Sequence, residues 1–368
     1  MGGSYEIGRL FGIPVRVHWG FLILVAVFGS MGLLNGGLVP ALMSVVYIVA
    51  LFGCVLVHEL AHSLVGRRFG VRVESITLTP IGGVAAMEEM PRKPSEEFLM
   101  AIVGPVTSLA IGAGIGAIIY LTEGAAGLHR RFDPVTGSLL SGLMWTNFVI
   151  AAFNLIPAFP MDGGRVLRAV LSHYLGLVRA TQIAANLGQA VAVLLGLGGL
   201  LALHNLWLVV IAVFIYIGAG QESKQVQLQA FLDSITARQA MVSRFDTINR
   251  NQPLRIALAY ATQGYQHDFP VVEGDTIVGI VTRQDLLNGL HALGPDHVVG
   301  EVMTTNVCQA PPDSTLSELY RSVAQGGCGI VLVRDRDRII GLVTPESVRD
   351  HMMAAAMGRP PYGGVPPA

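Results

Sequence analysis

Charged residues are scarce in this chain. Lysine and arginine contribute 24 residues and aspartate and glutamate 25, which is 13% of the 368 residues, whereas hydrophobic residues make up 52%. Average soluble domains carry about 25% charged residues. The composition therefore excludes an ordinary soluble protein and predicts an integral membrane protein. The formal net charge of −1 also excludes the basic surface that nucleic-acid binding needs, so we expect no nucleic-acid partner.

Cysteine is scarce as well. The three cysteines, Cys54, Cys308 and Cys328, show neither the CxxC spacing of a zinc site nor a paired framework. We therefore expect no disulfide bond, which is typical of a C-terminal region that faces the cytosol. We also expect no cleavable signal peptide, because the first apolar segment follows Arg9 and Arg16, continues too long and lacks a small-residue cleavage site.

Long segments without charge dominate the first 220 residues. They predict about six membrane spans, at about 18–36, 39–66 (without charge apart from Glu59), 98–121, 138–158, 180–202 and 205–220. When the N-terminus is placed in the cytosol, nearly all Lys and Arg residues between the spans lie on the cytosolic side, and only Arg130 and Arg131 lie outside. This bias predicts a multi-pass protein of the cell membrane with cytosolic N- and C-termini.

The second span contains His58, Glu59 and His62, and Glu59 is its only charged residue. Positions i and i+4 share a helix face, so the two imidazoles can converge on one point. Converging neutral imidazoles suit a zinc ion, and a glutamate after the first histidine suits the general base of a metalloprotease. A charge at membrane depth costs roughly 2.5–3.5 kcal/mol and usually serves a function. The alternative is a polar pair that joins two helices by hydrogen bonds.

The fourth span ends in an irregular stretch. Pro157 and Pro160 must break the helix, and the freed backbone groups are tolerated in the membrane zone only where protein or water surrounds them. Asp162 follows at a depth compatible with the two histidines. A catalytic zinc needs a third protein ligand of this kind beside a position for water. The structural alternative is Asp162 as the N-cap of a helix over 163–174.

Two further segments of the first 220 residues carry patterns. Residues 71–88 alternate apolar and polar residues around Gly82-Gly83 and predict two short strands, either in an ordinary interfacial loop or as an edge strand that captures an extended substrate. The third span contains several small residues, which by default predict close helix packing. Residues 1–16 are interpreted as a short polar lead.

The C-terminal region contains an internal repeat. Met241 corresponds to Met303, and Gly279 to Gly341, each at an offset of 62 residues. Each unit is predicted to contain strand, helix, strand, turn, strand and helix, and the two units would bury their faces against each other.

These residues carry a resemblance to a known family. The sequence His58-Glu-Leu-Ala-His62 matches the HExxH motif of the site-2 proteases, the intramembrane zinc metalloproteases of peptidase family M50. The stretch from Asn154 through Pro157 and Pro160 to Asp162 matches their second signature. The match covers about residues 10–220 and includes similarity at Pro80-Ile-Gly-Gly and Gly104-Pro105, whereas residues 239–352 resemble a pair of CBS domains.

The resemblance implies one zinc ion per chain, bound by His58, His62 and Asp162, with Glu59 activating the bound water. It implies hydrolysis of a peptide bond in or near a transmembrane segment of a membrane-protein substrate, such as a membrane-tethered transcriptional regulator or anti-sigma factor. This activity is regulated intramembrane proteolysis. Asn154 is expected to give a hydrogen bond to the substrate or to the developing oxyanion.

The CBS modules that this region resembles bind adenine nucleotides in the cleft between their repeats, so the resemblance implies a nucleotide site here. Thr282 and Asp285 fit the family's ribose-binding Thr-x-x-Asp, whereas the second repeat has Thr344 and Ser347 and lacks the aspartate. At most one competent site for AMP or ATP is therefore expected. A purely structural module, or one that forms a homodimer, stays open beside this interpretation.

The predicted fold class is a polytopic α-helical membrane protein with about six transmembrane helices and a small interfacial β element, followed by a cytosolic α/β CBS-pair domain. The predicted domains are 1–220 for the intramembrane metalloprotease, 221–238 for a helical linker, 239–352 for the tandem CBS domains (239–290 and 301–352) and 353–368 for a disordered tail. A CBS-gated channel or transporter is the first alternative, although it does not explain the zinc-ligand spacing. A catalytically inactive scaffold is the second, and the intact Glu59 argues against it.

Overall fold

The computed structural model describes residues 3–87, 91, 93–129, 138–264, 266–326, 329–336 and 338–356. The chain divides into two compact units, Met1–Val226 and Gln227–Ala368. The division lies within the predicted linker 221–238. Each unit has its own buried core.

The first unit is mainly helical and contains one small sheet. Its elements are, in chain order, β1 (Ser4–Leu10), β2 (Ile13–His18), α1 (Trp19–Gly36), α2 (Leu38–Arg68), β3 (Val73–Thr79), β4 (Gly82–Met87), α3 (Pro94–Glu123), α4 (Ala125–Leu128), α5 (Leu139–Asn154), α6 (Asp162–Leu175), α7 (Leu177–Leu197) and α8 (Leu206–Ser234). Helix α3 packs against α2, α5 and α6, so it lies at the centre of this unit.

The membrane character of the first unit is clear from its helices. Within the part of the chain that the structure describes, five helices are long and apolar enough to cross a membrane: α1, α2, α3, α8, and α7 with its continuation to Ala202. Helix α5 is also apolar but has 16 residues and ends at Asn154, because the chain cannot continue a regular helix through Pro157. The predicted class of a helical membrane protein is confirmed, with five long apolar helices and one shorter apolar helix among the described residues.

The sheet has the strand order β1-β2-β3-β4, with β2 and β3 parallel and the other neighbours antiparallel. The prediction of two strands over 71–88 is confirmed by β3 and β4. The prediction of a polar lead over 1–16 is wrong, because this segment forms β1 and most of β2. Phe11 and Gly12 make the turn with φ of 51° and 80°, and Ile13 is buried with Leu60 and Ile76.

The second unit is built from two repeats. Its elements are α9 (Ala237–Ala240), β5 (Ile248–Asn249), α10 (Leu254–Gln263), β6 (Phe269–Glu273), β7 (Thr276–Val281), α11 (Arg283–Ala292), β8 (Cys308–Ala310), α12 (Leu316–Gly326), β9 (Val331–Asp335), β10 (Arg338–Val343) and α13 (Pro345–Ala356). Each repeat has a three-stranded sheet, with orders β5-β6-β7 and β10-β9-β8.

The two repeats exchange contacts reciprocally. A Cβ on Gly279 would lie 2.8 Å from the sulfur of Met303, and a Cβ on Gly341 would lie 2.5 Å from the sulfur of Met241. Main-chain bridges follow the same exchange, between Ile280 and Thr304 and between Val242 and Leu342. The predicted repeat is confirmed, and each repeat contributes its first segment to the other.

Two predictions about the second unit need correction. Cys308 is disulfide-bonded, so the expectation of no disulfide is wrong. The cytosolic placement then depends on Lys and Arg alone. Helix α13 includes residues 353–356, which had been assigned to the predicted disordered tail, and 357–368 lie outside the described residues.

Candidate metal centre

Three side chains from α2 and α6 meet at one point. The atoms His58 Nε2, His62 Nε2 and Asp162 Oδ2 form a triangle whose sides are each 3.2 Å. Zinc bonds of 2.0–2.1 Å at tetrahedral angles place ligand atoms about 3.3 Å apart. The triangle therefore has the size of one face of a tetrahedral zinc site, and two imidazoles with one carboxylate are a donor set that zinc accepts.

Helix α3 orients both imidazoles. His62 Nδ1 lies 2.6 Å from the carbonyl oxygen of Met100. A carbonyl can only accept, so Nδ1 carries the proton and the lone pair of Nε2 faces the metal position. His58 Nδ1 lies 2.9 Å from Ser108 Oγ, which accepts when this ring has the same tautomer. Sequence analysis missed Met100 and Ser108, because no pattern in the sequence links α3 to the histidines.

Gly104 lies between these two contacts on α3. A Cβ at this position would meet His62 Nε2 and would lie 2.6 Å from His58 Nε2. A methyl group would therefore occupy space beside the ligand atoms, and the helix backbone comes this close because glycine has no side chain. Sequence analysis had interpreted the small residues of this span as packing residues, whereas Gly104 borders the metal position.

A tight loop presents Asp162. The chain leaves α5 at Asn154 and turns so closely against the start of α6 that a Cβ on Gly164 would lie 2.6 Å from the backbone of Ala158. Asp162 is the first residue of α6 and Met161 is its N-cap. The alternative in which Asp162 is itself the N-cap is therefore wrong, and its carboxylate is directed to the histidines instead.

Glu59 lies under the edge of the sheet. It is half-buried, and a Cβ on Gly83 of β4 would lie 2.5 Å from Glu59 Cγ and 3.3 Å from its Cδ. Strand β4 therefore passes directly over the candidate base. Asn154 is half-buried at the C-terminal end of α5, and it is not one of the three grouped ligand residues.

The predicted nucleotide residues cap a helix. The N–H and hydroxyl of Thr282 donate to Asp285 Oδ2 at 3.0 and 2.6 Å, which is a capping box at the start of α11. Thr344 and Ser347 make the corresponding cap at α13. A cavity of about 500 Å³ in this unit is lined by Ser243, Arg244, Phe245, Asp246, Ile339 and Ile340. Thr282 and Asp285 are absent from that lining.

The surroundings of Asp285 are acidic. Burial raises the pKa of the nearby Asp268 carboxyl against the lowering effect of the Arg283 N–H, and the carboxylates of Glu346 and Asp285 raise it further. The carboxylates of Asp268, Asp285 and Glu346 therefore lie close enough to repel one another.

Comparison with known proteins agrees with the geometry. The model of peptidase family M50 matches residues 46–136 and 133–197, and the CBS domain model matches 237–292 and 299–354. Zinc metalloprotease MJ0392 of Methanocaldococcus jannaschii is 35% identical over 283 residues, which cover 76% of this chain and 78% of that protein. The protein Rip3 of Mycobacterium tuberculosis is 32% identical over 370 residues, which cover 95% of this chain and 92% of that protein.

A solved structure is similar as well. The site-2 protease from Methanocaldococcus jannaschii has 37% sequence identity and a TM-score of 0.46, with coverage of 60% of this chain and 95% of that chain. The sequence matches carry the assignment and confirm the resemblance. They favour an enzyme over a CBS-gated channel or transporter. The chain belongs to the peptidase M50 family of zinc metalloproteases, with a C-terminal pair of CBS domains, and is a zinc metalloendopeptidase.

Proposed function

We propose that this metalloprotease cuts its substrate within or near the bilayer and uses one zinc ion held by His58, His62 and Asp162. The observation that carries the proposal is the 3.2 Å triangle of ligand atoms, two of whose members lie on a helix long and apolar enough to span a membrane. A bound zinc ion would lower the pKa of its water towards 7 and polarise the scissile carbonyl.

The residues around the triangle supply the remaining chemistry. Glu59 accepts a proton from the attacking water on a carboxylate oxygen and later delivers it to the amine nitrogen of the leaving strand. The amide group of Asn154 donates a hydrogen bond to the substrate carbonyl or to the oxyanion that develops there. Replacing Asn154 with alanine should slow cleavage of a test substrate, and cleavage at the wild-type rate would contradict this role.

The central experiment compares the wild type with Glu59→Gln on a co-expressed single-span substrate, with zinc content measured on both proteins. We expect zinc in both and a decrease in cleavage of about 10²–10⁴-fold in the variant, the usual contribution of general acid–base catalysis. Glu74→Gln, at an exposed position of β3, is the matched control and should cleave normally. Absence of zinc from the wild type under metal-replete conditions would refute the metal assignment.

We propose a transmembrane protein as the substrate, of the kind represented by membrane-tethered regulators and anti-sigma factors. Peptide bonds inside a helix are shielded by their own hydrogen bonds, so the substrate must become extended before attack. Strand β4 supports this step, because it is an edge of the sheet and passes over Glu59. Extended peptides can add to such edges through main-chain hydrogen bonds.

Crosslinking tests the docking strand. A cysteine at Val84, which is 49% exposed on β4, should crosslink to a cysteine near the cleavage site of the test substrate. A cysteine at Ile7, which is 64% exposed on the opposite edge strand β1, is the control and should not react. Equal crosslinking at both edges would contradict docking on β4. Both variants are made with Cys54→Ala, because Cys54 is a free thiol.

We further propose the cell membrane as the location, with both termini in the cytosol. The pair Arg67 and Arg68 at the C-terminal end of α2 supports this orientation. The orientation is tested with single cysteines introduced before α1 or after α13, which are labelled in sealed vesicles. Protection from a membrane-impermeant reagent in right-side-out vesicles is expected, and labelling there would reverse the assignment.

For the CBS pair we propose one adenine-nucleotide site, with the ribose bound at Thr282 and Asp285, or alternatively a homodimer contact. The Thr-x-x-Asp sequence at α11, absent from the second repeat, supports a single site. Calorimetry on the full-length protein with AMP and ATP tests it, with Asp285→Ala expected to abolish the heat and Ser347→Ala expected to keep it. No heat with either nucleotide refutes the site, and sedimentation then tests the dimer.

A further inference from the structure

Arg168 of α6 is a buried cation in the membrane unit, with 2% of its surface exposed. Its Nη2 and Nε both lie 2.6 Å from Glu97 Oε1 of α3, and its Nη1 lies 2.9 Å from Glu222 Oε1 of α8. Glu97 is 5% exposed. Buried charges are retained only when they are paired, and this guanidinium group has two carboxylate partners.

The guanidinium group also contacts the loop that leads to the metal centre. Its central carbon lies 4.9 Å from the ring centroid of Phe159, which precedes Asp162 by three residues. Arg168 itself follows Asp162 by six residues, about 9 Å along the helix axis. One side chain therefore contacts the chain on both sides of Asp162.

The glutamate partner connects Arg168 to the other half of the metal centre. Glu97 and Met100 lie one turn apart at the start of α3, and the carbonyl of Met100 accepts the hydrogen bond from His62. The same turn of α3 therefore contacts the helix that carries Asp162 and the ring of His62. The Arg168–Glu97 contact therefore joins the helix that carries Asp162 to the turn that orients His62.

We propose that Arg168 is a positioning residue for the metal centre: through Glu97, it sets the distance between Asp162 and the two histidines. The inference rests on the zinc ligands proposed above. Groups that orient metal ligands from outside the coordination sphere change metal affinity or activity by about 10–100-fold when they are removed. The contact of Arg168 with Glu222 contributes less than its contact with Glu97, because a quarter of the Glu222 side chain is exposed to solvent.

The test must separate positioning from simple neutralisation of Glu97. Arg168→Met alone leaves a buried carboxylate unpaired and can unfold the protein. The double variant Arg168→Met/Glu97→Gln removes both charges and keeps a similar side-chain volume. Arg168→Lys keeps the charge and loses the forked donor geometry. Arg179→Met, at an exposed position of α7, is the matched control.

All variants are made in the full-length protein. The readouts are the rate of zinc loss to a chelator, the visible spectrum after cobalt substitution, and kcat and KM separately. We expect zinc loss about 10–100-fold faster in the double variant and about tenfold faster in Arg168→Lys, with an altered cobalt spectrum and a fall in kcat rather than a rise in KM. Wild-type zinc loss and spectrum in Arg168→Lys would overturn the proposal.

The same measurements distinguish an error in the proposed zinc ligands from an error in the role of Arg168. If the wild type binds no zinc, or if His58→Ala binds it as tightly as the wild type, the proposed ligands are wrong whatever Arg168 does. If His58→Ala loses zinc and Arg168→Lys behaves as the wild type, the ligands stand and the positioning role is refuted. Arg179→Met should match the wild type in every readout.

Discussion

The two sides of the metal centre are held in different ways. On the histidine side, each imidazole is fixed by a short contact from its Nδ1 to a single neutral atom of α3, from Met100 or Ser108. On the aspartate side, Asp162 depends on the placement of a whole helix, which a tight loop and the buried charges around Arg168 determine.

The two sides of the site should therefore respond to different kinds of substitution. An imidazole turns about its own side-chain bonds, so one hydrogen bond settles both its orientation and its tautomer. A carboxylate on the first residue of a helix moves with the backbone, so it responds to changes several residues away. Substitutions that remove one hydrogen-bond partner should therefore disturb the orientation of a histidine. Substitutions that shift the backbone should disturb the position of the Asp162 carboxylate.

Gly104→Ala should have the largest effect, because the added methyl group contacts the ligand atoms directly. It acts neither through a hydrogen bond to an imidazole nor through a shift of the Asp162 backbone. We expect zinc affinity to fall at least about 100-fold, with loss of cleavage. Zinc content and cleavage of the test substrate measure this. Gly114→Ala on the same helix adds a methyl group in open space and should retain zinc. Full zinc content in the Gly104 variant would show that α3 can move away.

Gly188→Ala tests the aspartate side. A Cβ on this residue of α7 would collide with the carbonyl oxygen of Phe159, so the loop before Asp162 must shift. We expect zinc affinity to fall about tenfold, measured by competition with a chelator. Gly198→Ala, with helical φ of −61° and open space around it, is the control. An unchanged affinity in the Gly188 variant would show that the carboxylate does not follow its loop.

Ser108→Ala tests the histidine side and should have a comparable or smaller effect. Removing the hydroxyl takes the hydrogen-bond partner from His58 Nδ1 and frees the tautomer, so zinc affinity should fall up to about tenfold. The hydroxyl of the neighbouring Thr107 donates to the Val103 carbonyl of its own helix, and Thr107→Ala should leave the affinity unchanged. Equal losses in both variants would indicate a general loosening of α3.

Phe159→Leu should have the smallest effect on the metal. Leucine keeps most of the buried volume but loses the ring face beneath the Arg168 guanidinium, so stability should fall by about 1 kcal/mol. Zinc affinity should change less than in the two preceding variants, because the ion pairs stay in place. Thermal unfolding in detergent measures the change, and Phe153→Leu, 40% exposed on α5, is the control. A tenfold loss of zinc affinity would show that the contact between Phe159 and Arg168 itself helps to position the metal ligands.

Sequence reasoning reached the parts of the site that depend on local spacing. His58, Glu59 and His62 follow from helix periodicity, and Asp162 follows from the prolines that interrupt the preceding helix. Their convergence in space is a structural finding that the spacing made plausible.

The rest depends on contacts between segments distant in sequence. Ser108 bonds to a histidine 50 positions away, and Arg168 bonds to a glutamate 71 positions away. No single-sequence pattern encodes such pairs. The β1–β2 hairpin was missed for another reason: the alternation from Val15 to Val17 and the turn at Gly12 are too short to predict strands by themselves.

Because each CBS repeat is covered by a segment of the other, neither repeat can finish packing until both have been synthesised. Met241 rests against Gly341, which is synthesised 100 residues later, and Met303, which covers Gly279, follows Gly279 by 24 residues. At about 5–20 residues per second, the ribosome takes about 1–5 s to add those 24 residues. Throughout that interval Gly279 lacks the segment that covers it. A nascent chain ending between the repeats therefore exposes apolar surface, and the two repeats complete each other only after the second has left the ribosome.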